Sequence, residues 1–158
     1  MYTSTDAIIL SKLNYKESSL ISRLFTYEQG KISTIIKGAK SKNNIIGTVE
    51  PANIIHCTYY NRKSSLKTVK EITLKNIHYN NRSNLLGYYY SMAVVSLLDK
   101  TTQENHQLKD LFNLSVYILD TINDTKTNLE IVFIYFLIHL INHLGFQLTG
   151  DYALENNQ

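Results

Sequence analysis

The sequence predicts an α+β protein, a small five-stranded β-barrel followed by an all-α helical region, with the change of architecture near Tyr79-Asn80-Asn81. Two observations predict it. Before that point, short segments rich in apolar and β-branched residues recur at regular spacing, each bounded by turn residues. Beyond it, apolar residues recur with a helical period. The charge changes at the same place: residues 1–80 hold 12 Lys/Arg against 5 Asp/Glu, and residues 81–158 hold 4 against 8.

The strand segments, in order, are Asp6–Leu13, Leu20–Thr26, Ile32–Lys37, Asn53–Tyr60 and Leu66–Leu74. Gly30, after Glu28-Gln29, can take a positive φ without a Cβ clash and predicts a hairpin between the second and third strands. Gly38-Ala39-Lys40-Ser41-Lys42-Asn43-Asn44 is polar, with no apolar anchor of its own, and is expected to be a mobile loop. Pro51 suits the start of the fourth strand, where its missing N–H costs no central ladder bond. Asn61-Arg62-Lys63-Ser64-Ser65 is the turn between the fourth and fifth strands.

Leu85, Leu86, Tyr89, Met92, Ala93, Leu97 and Leu98 mark one helical face, and Leu108, Leu111, Phe112, Ile118, Leu119 and Ile122 mark a second. Thr127-Asn128-Leu129-Glu130 matches a capping box for a third helix, which Gly145 ends. That third helix is apolar nearly all round and is expected to be the central helical element, with neighbours on several sides.

Composition bounds the function. Hydrophobic residues at 44% and charged residues at 18% are those of a chain able to build a core. The single cysteine, Cys57, excludes an internal disulfide framework and a multi-cysteine zinc site, as expected in the cytoplasm. The start Met1-Tyr2-Thr3-Ser4-Thr5-Asp6 lacks a secretory signal, and the apolar stretch Ile131–Leu144 is too short and too interrupted for a membrane span.

The charge asymmetry points to a polyanionic partner, because clustered cations release counterions when they neutralise phosphates. The candidates are Arg23, Lys31, Lys37, Lys40, Lys42, Arg62, Lys63, Lys67 and Lys70. Strand alternation sends Lys31, Ser33, Ile35 and Lys37 to one face and Ile32, Thr34 and Ile36 to the other, so the lysines form a stripe opposite the core. Such a stripe tracks a phosphate backbone without reading sequence. Tyr27, Tyr59 and Tyr60 could stack on bases, against the competing role of cross-strand packing, and Phe25 suits the barrel core. Lysines placed only to guard sheet edges are the competing account of the charge.

Catalytic signals do not stand out: there is no Gly-rich phosphate loop, acidic metal cluster or Ser-His-Asp set in a recognisable context, so no catalytic residue and no cofactor are expected. His139 and His143 have metal-ligand spacing, but Leu140 occupies the place of a zinc-protease glutamate, and no metal site is expected. Cys57 reads as a small buried apolar residue, and Tyr88-Tyr89-Tyr90 as part core and part interface.

Asp6-Ala7-Ile8-Ile9-Leu10, Tyr15-Lys16-Glu17-Ser18, Leu24-Phe25-Thr26, Gly30-Lys31-Ile32 and Lys37-Gly38-Ala39-Lys40 occur in that order, followed by Asp110-Leu111-Phe112 and Leu144-Gly145-Phe146. Together these short motifs resemble the RecO family of recombination mediators. The resemblance spans essentially the whole sequence and implies an oligonucleotide-binding (OB-fold) barrel over residues 1–79 and a helical domain over residues 80–158, shorter than in the family. It implies a bacterial, nucleoid-associated protein that binds single- and double-stranded DNA and anneals complementary strands. The same resemblance implies contact with the acidic C-terminal tail of single-stranded-DNA-binding protein, and loading of RecA together with RecR. On it, Lys37, Lys40 and Lys42 correspond to the basic stretch after the third strand. The alternatives are an OB-fold RNA-binding protein and a protein-interaction module that recognises acidic peptides.

Overall fold

A computed structural model of the protein describes residues 1–41, 43–61, 64–78, 84–124 and 127–146. The expected change of architecture at 79–81 lies outside these residues. Strands β1 (Tyr2–Tyr15), β2 (Ser19–Thr26), β3 (Gly30–Ile36), β4 (Ile54–Tyr60) and β5 (Leu66–Asn76) close into a barrel in the order β1-β2-β3-β5-β4. Neighbours run antiparallel except β3 and β5, which pair in parallel through Ser33↔Leu66, Thr34↔Lys67 and Ile35↔Thr68. Helices follow, so the fold class is the one the sequence predicts.

The 14 residues of β1 let the barrel close, because one strand serves two neighbours. Tyr2 to Ile8 lie opposite Tyr60 to Ile54 of β4, and Ala7 to Tyr15 lie opposite Thr26 to Ser19 of β2. A register shift between Ile9 and Ser11 adds the bend that this double duty needs. Gly30 takes φ +69 at the β2–β3 turn, as the hairpin expectation required.

Alternation sorts the strand side chains into two cores. Ala7, Ile9, Leu24, Ile32, Ile36, Ile55, Cys57, Tyr59 and Val69 fill the barrel. Ile8, Leu10, Phe25 and Ile54 point the other way and pack with Val94, Leu98, Leu111, Phe112 and Ile118 of the helices. Phe25 is therefore buried against the helical layer, 5.9 Å from Phe112, and not inside the barrel. A strand covered on both faces has no use for polar alternation, which explains the unbroken run Ala7-Ile8-Ile9-Leu10. Each such fully buried side chain contributes about 1.5–3 kcal/mol.

The segment expected to be a loop after β3 is structured. A 3-10 turn (Ala39–Ser41) leads into helix α1 (Asn43–Thr48). Small but fully buried Ala39, with Val49, joins the barrel core and supplies the anchor that the sequence seemed to lack. Pro51 lies in the turn ahead of β4 and not at its first residue. In that turn Ala52 takes φ +71, and the buried Asn53 amide donates to Gly47 O and Thr48 O while its Oδ1 accepts the His78 N–H.

Three helices form the second layer: α2 (Leu85–Thr101), α3 (Lys109–Asn123) and α4 (Leu129–His143). The α3 face is the expected one. On α2 the buried residues are Gly87, Ser91, Val94, Val95 and Leu98, whereas Leu85, Leu86 and Tyr89 face solvent. At Gly87 the capping Asn84 side chain lies where a Cβ would stand, and a helix with apolar residues on every side does not announce which face turns inward. The α4 N-cap is Asn128 and not Thr127: its Oδ1 accepts from the N–H groups of Glu130 and Ile131. Gly145, at φ +88, ends α4 with the paired bonds Phe146 N–H to Ile141 O and Gly145 N–H to Asn142 O. The neighbours expected on several sides of α4 are α2 and α3 among the described residues, and its remaining side is open. Val132, Phe136 and Leu140 are buried, but Ile131 is 65% exposed and Ile134 55%.

Candidate nucleic-acid interface

The outward stripe of β3 is divided between two uses. At its Lys31 end it is covered by the C-terminal end of α2 and the loop that follows. Lys31 Nζ donates to Asp99 O at 2.6 Å, Arg23 pairs with the Asp99 carboxylate at 2.7 Å, and Ser33 Oγ donates to Glu104 at 3.2 Å. The backbone joins in, with Asn105 N–H donating to Lys31 O. Arg23 and Lys31 thus answer acidic and carbonyl groups of the same chain.

At the other end, Lys37 is exposed and lines two adjoining concavities, each about 320 Å³, together with Lys70 of β5. One is walled by Tyr2, Tyr60 and Thr68, and the other by Ile36, Ile45, Val69, Glu71, Ile72 and Thr73. Tyr2 and Tyr60 face each other across β1 and β4 with ring centroids 5.0 Å apart at 87°, and Lys70 Nζ stands 5.0 Å from the Tyr2 centroid. Glu71 lies 3.8 Å from Lys70, but both are more than half exposed, and such a pair holds a lysine only weakly.

Lys40 follows Lys37 by three residues and donates to Lys16 O at 3.2 Å, bringing it to the β1–β2 hairpin. A further concavity there is lined by Lys12, Asn14, Leu20, Lys40 and Ile46. Lys16 Nζ lies 5.4 Å from the Tyr15 ring centroid, and Lys12 is paired with Glu50. The remaining sequence candidates part company. Lys67 is buried and donates to Asn61 Oδ1, while Lys42, Arg62 and Lys63 lie outside the described residues.

The three tyrosine candidates also separate. Tyr59 is fully buried in the barrel with its hydroxyl donating to Gln29, so it offers no face to a base. Burial, the neighbouring Cys57 and Glu28 push its phenol up to about 12 against the Thr3 hydrogen bond. Tyr27 packs edge-on against Phe112 of α3, with Lys109 Nζ over its ring at 4.7 Å. Only Tyr60 lines a concavity with lysines. Sequence reading missed its partner Tyr2 because a pair 58 positions apart shows itself only through the β1–β4 register.

A second unanticipated arrangement is a row on the outer face of β1 and β4. Ser4 Oγ lies 3.0 Å from His56 Nε2, and His56 Nδ1 lies 2.7 Å from Asp6 Oδ1, the linear order of a Ser-His-Asp relay. Each member also carries other bonds of the barrel wall. Lys75 Nζ donates to Asp6 Oδ2 at 2.7 Å, Ser4 shares its hydrogen bonding with Thr58, and Ser4 stands mid-strand opposite that threonine. Partial burial raises the Asp6 carboxyl, but the hydrogen bonds and charges of Lys75 and His56 outweigh it and hold it below 3.8. Among the described residues no group of three or more His, Cys, Asp or Glu could hold a metal. His139 rests against Tyr135 with centroids 4.2 Å apart. No helix of the described residues is long and apolar enough to cross a membrane.

Comparison with known proteins agrees with this two-part build. The family model described as recombination protein O N terminal matches residues 1–78, and the one described as recombination protein O C terminal matches residues 82–155. A protein named DNA repair protein RecO from Chlorobium limicola is 24% identical over 160 residues, covering 100% of this chain and 61% of the relative. Its namesake from Pelodictyon phaeoclathratiforme is 28% identical over 151 residues, covering 93% and 57%. That of Alkaliphilus metalliredigens is 27% identical over 146 residues, covering 92% and 59%. The chain spans about three fifths of the length of these relatives.

Proposed function

The chain belongs to the recombination protein O family, whose members are named as DNA repair proteins, and from that premise we propose that it serves recombinational repair as a DNA-binding mediator and not as an enzyme. The barrel holds single- and double-stranded DNA along Lys40, Lys37 and Lys70. Neutralising two strands on one surface lets complements meet, which is the physical basis of annealing. The helical layer takes protein partners: the acidic tail of single-stranded-DNA-binding protein, and RecR, with RecA loading as the outcome. Its place of work is the bacterial cytoplasm, at the nucleoid.

The observation that carries this reading is that Lys37 and Lys70, from different strands, line the same two concavities. Fluorescence anisotropy at several salt concentrations tests it. Removing two phosphate contacts should lower the salt slope by about 1.4 on single strands and about 1.8 on duplex. Lys37→Ala/Lys70→Ala is expected to do so, and to slow annealing of complementary oligonucleotides. An unchanged slope, or tighter binding of wild type to RNA hairpins than to DNA, would overturn the reading.

A further inference from the structure

Resting on the reading of the barrel as a DNA surface, we propose that Tyr2 and Tyr60 form a stacking step for an unpaired base, with Lys70 and Lys37 taking the phosphates beside it. This end of the track therefore selects single-stranded DNA, whereas the lysines alone accept either form.

The geometry supplies the argument. Two rings at 87° do not stack face to face, so neither lies flat on the other. Tyr2 is 53% exposed, and the pair walls a concavity of about 320 Å³ that opens beside Lys37, Lys70 and Thr68. Lys70 Nζ is already held over the Tyr2 ring. A cation over an exposed ring is held weakly, so it can move to a phosphate when a base takes the face. Base faces are hidden inside a duplex and open in a single strand, so an aromatic step discriminates between the two where a lysine does not. Closing the barrel is the other job open to a cross-strand tyrosine pair, and it predicts no such discrimination.

The chain has no tryptophan, so Tyr2→Trp installs a single fluorophore in the wall of the concavity. Oligo(dT) should quench it strongly, and a blunt duplex at equal saturation should not. Tyr2→Ala should weaken oligo(dT) binding about tenfold, leave duplex affinity within about twofold, and keep the salt slope. Tyr60→Phe, which retains the ring, should bind like wild type, and thermal melts of each variant separate folding defects from binding defects. Equal quenching by both DNA forms would overturn the stacking step. So would normal oligo(dT) binding by Tyr2→Ala while Lys37→Ala/Lys70→Ala weakens both forms, which leaves the DNA reading standing without the stack. Failure of wild type to bind either form would remove both.

Discussion

Replacing Arg23 by alanine separates a cation used for docking from those proposed to meet DNA. Arg23 looks like its neighbours in sequence, but in the structure its guanidinium lies 2.7 Å from an Asp99 carboxylate that is only 13% exposed, while the arginine itself is 48% exposed. Removing the arginine strands a nearly buried carboxylate, one of whose oxygens is already without a partner. A fully buried pair broken on one side costs about 3–5 kcal/mol and an exposed pair about 0.2–1. Screening through the half-exposed arginine places this one at about 1–2 kcal/mol. For a chain of this size that corresponds to a fall in Tm of about 2–8 °C. The assay pairs a thermal melt with anisotropy across a salt series, and Asp99→Asn serves as the complementary change that removes the stranded charge. Arg23→Ala should lower Tm, the double variant should recover part of the loss, and the salt slope of DNA binding should not move. A normal Tm with a slope lowered by about 0.7–0.9 would mean that Arg23 meets phosphate. The docking role of Arg23 would then be refuted.

Other changes read the fold directly. Gly30→Ala should destabilise by about 3 kcal/mol in urea titration, because φ is +69 and the new Cβ would overlap the His106 carbonyl. Phe136→Ala, at a fully buried site, should cost about 3–5 kcal/mol, against about 0.5 or less for Ile134→Ala on the open side of α4, again by urea titration. Cys57 should stay unreactive to a thiol reagent at pH 8 until the chain unfolds, since burial, with the nearby Asp6 charge adding to it, pushes the thiol up to about 12. Asp6→Asn should lower the urea midpoint at neutral pH. Because the folded carboxyl lies below its ordinary value, the stability it contributes is present above 3.8 and is lost as pH falls through the folded pKa, so the two proteins should converge in acid.

What was legible in the sequence was what local periodicity controls. The strand segments, the Gly30 turn, the α3 face and the inward set Ile32, Thr34 and Ile36 all follow from neighbours along the chain. What was not legible depends on distant pairing. The segment 38–44 read as a loop because its anchor, Ala39, is small, and its burial comes from a barrel end built by other strands. Tyr59 and Tyr60 are chemically alike, and strand parity alone buries one fully and leaves the other half-buried. The basic first half read as a footprint for a polyanion. Part of that charge is met inside the molecule, where Asp99 and Glu104 of the acidic half answer Arg23, Lys31 and Ser33.

That internal match decides the direction of the DNA track proposed above. Were the whole outward face of β3 open, a strand of DNA could follow it from Lys31 to Lys37. The α2 end and its loop cover the first half of that path, so a ligand has to leave β3 near its C-terminal end and cross to another strand. The crossing is possible because β3 and β5 are parallel. With Ile35 beside Thr68, advancing two residues along both strands arrives at Lys37 and Lys70 together. In an antiparallel pair the same step would carry them apart. β5 lies between β3 and β4, and β4 ends at Tyr60 opposite Tyr2, so the path continues onto the tyrosine pair. The one parallel contact in an otherwise antiparallel barrel is therefore what aligns the two lysines and points them at the proposed aromatic step.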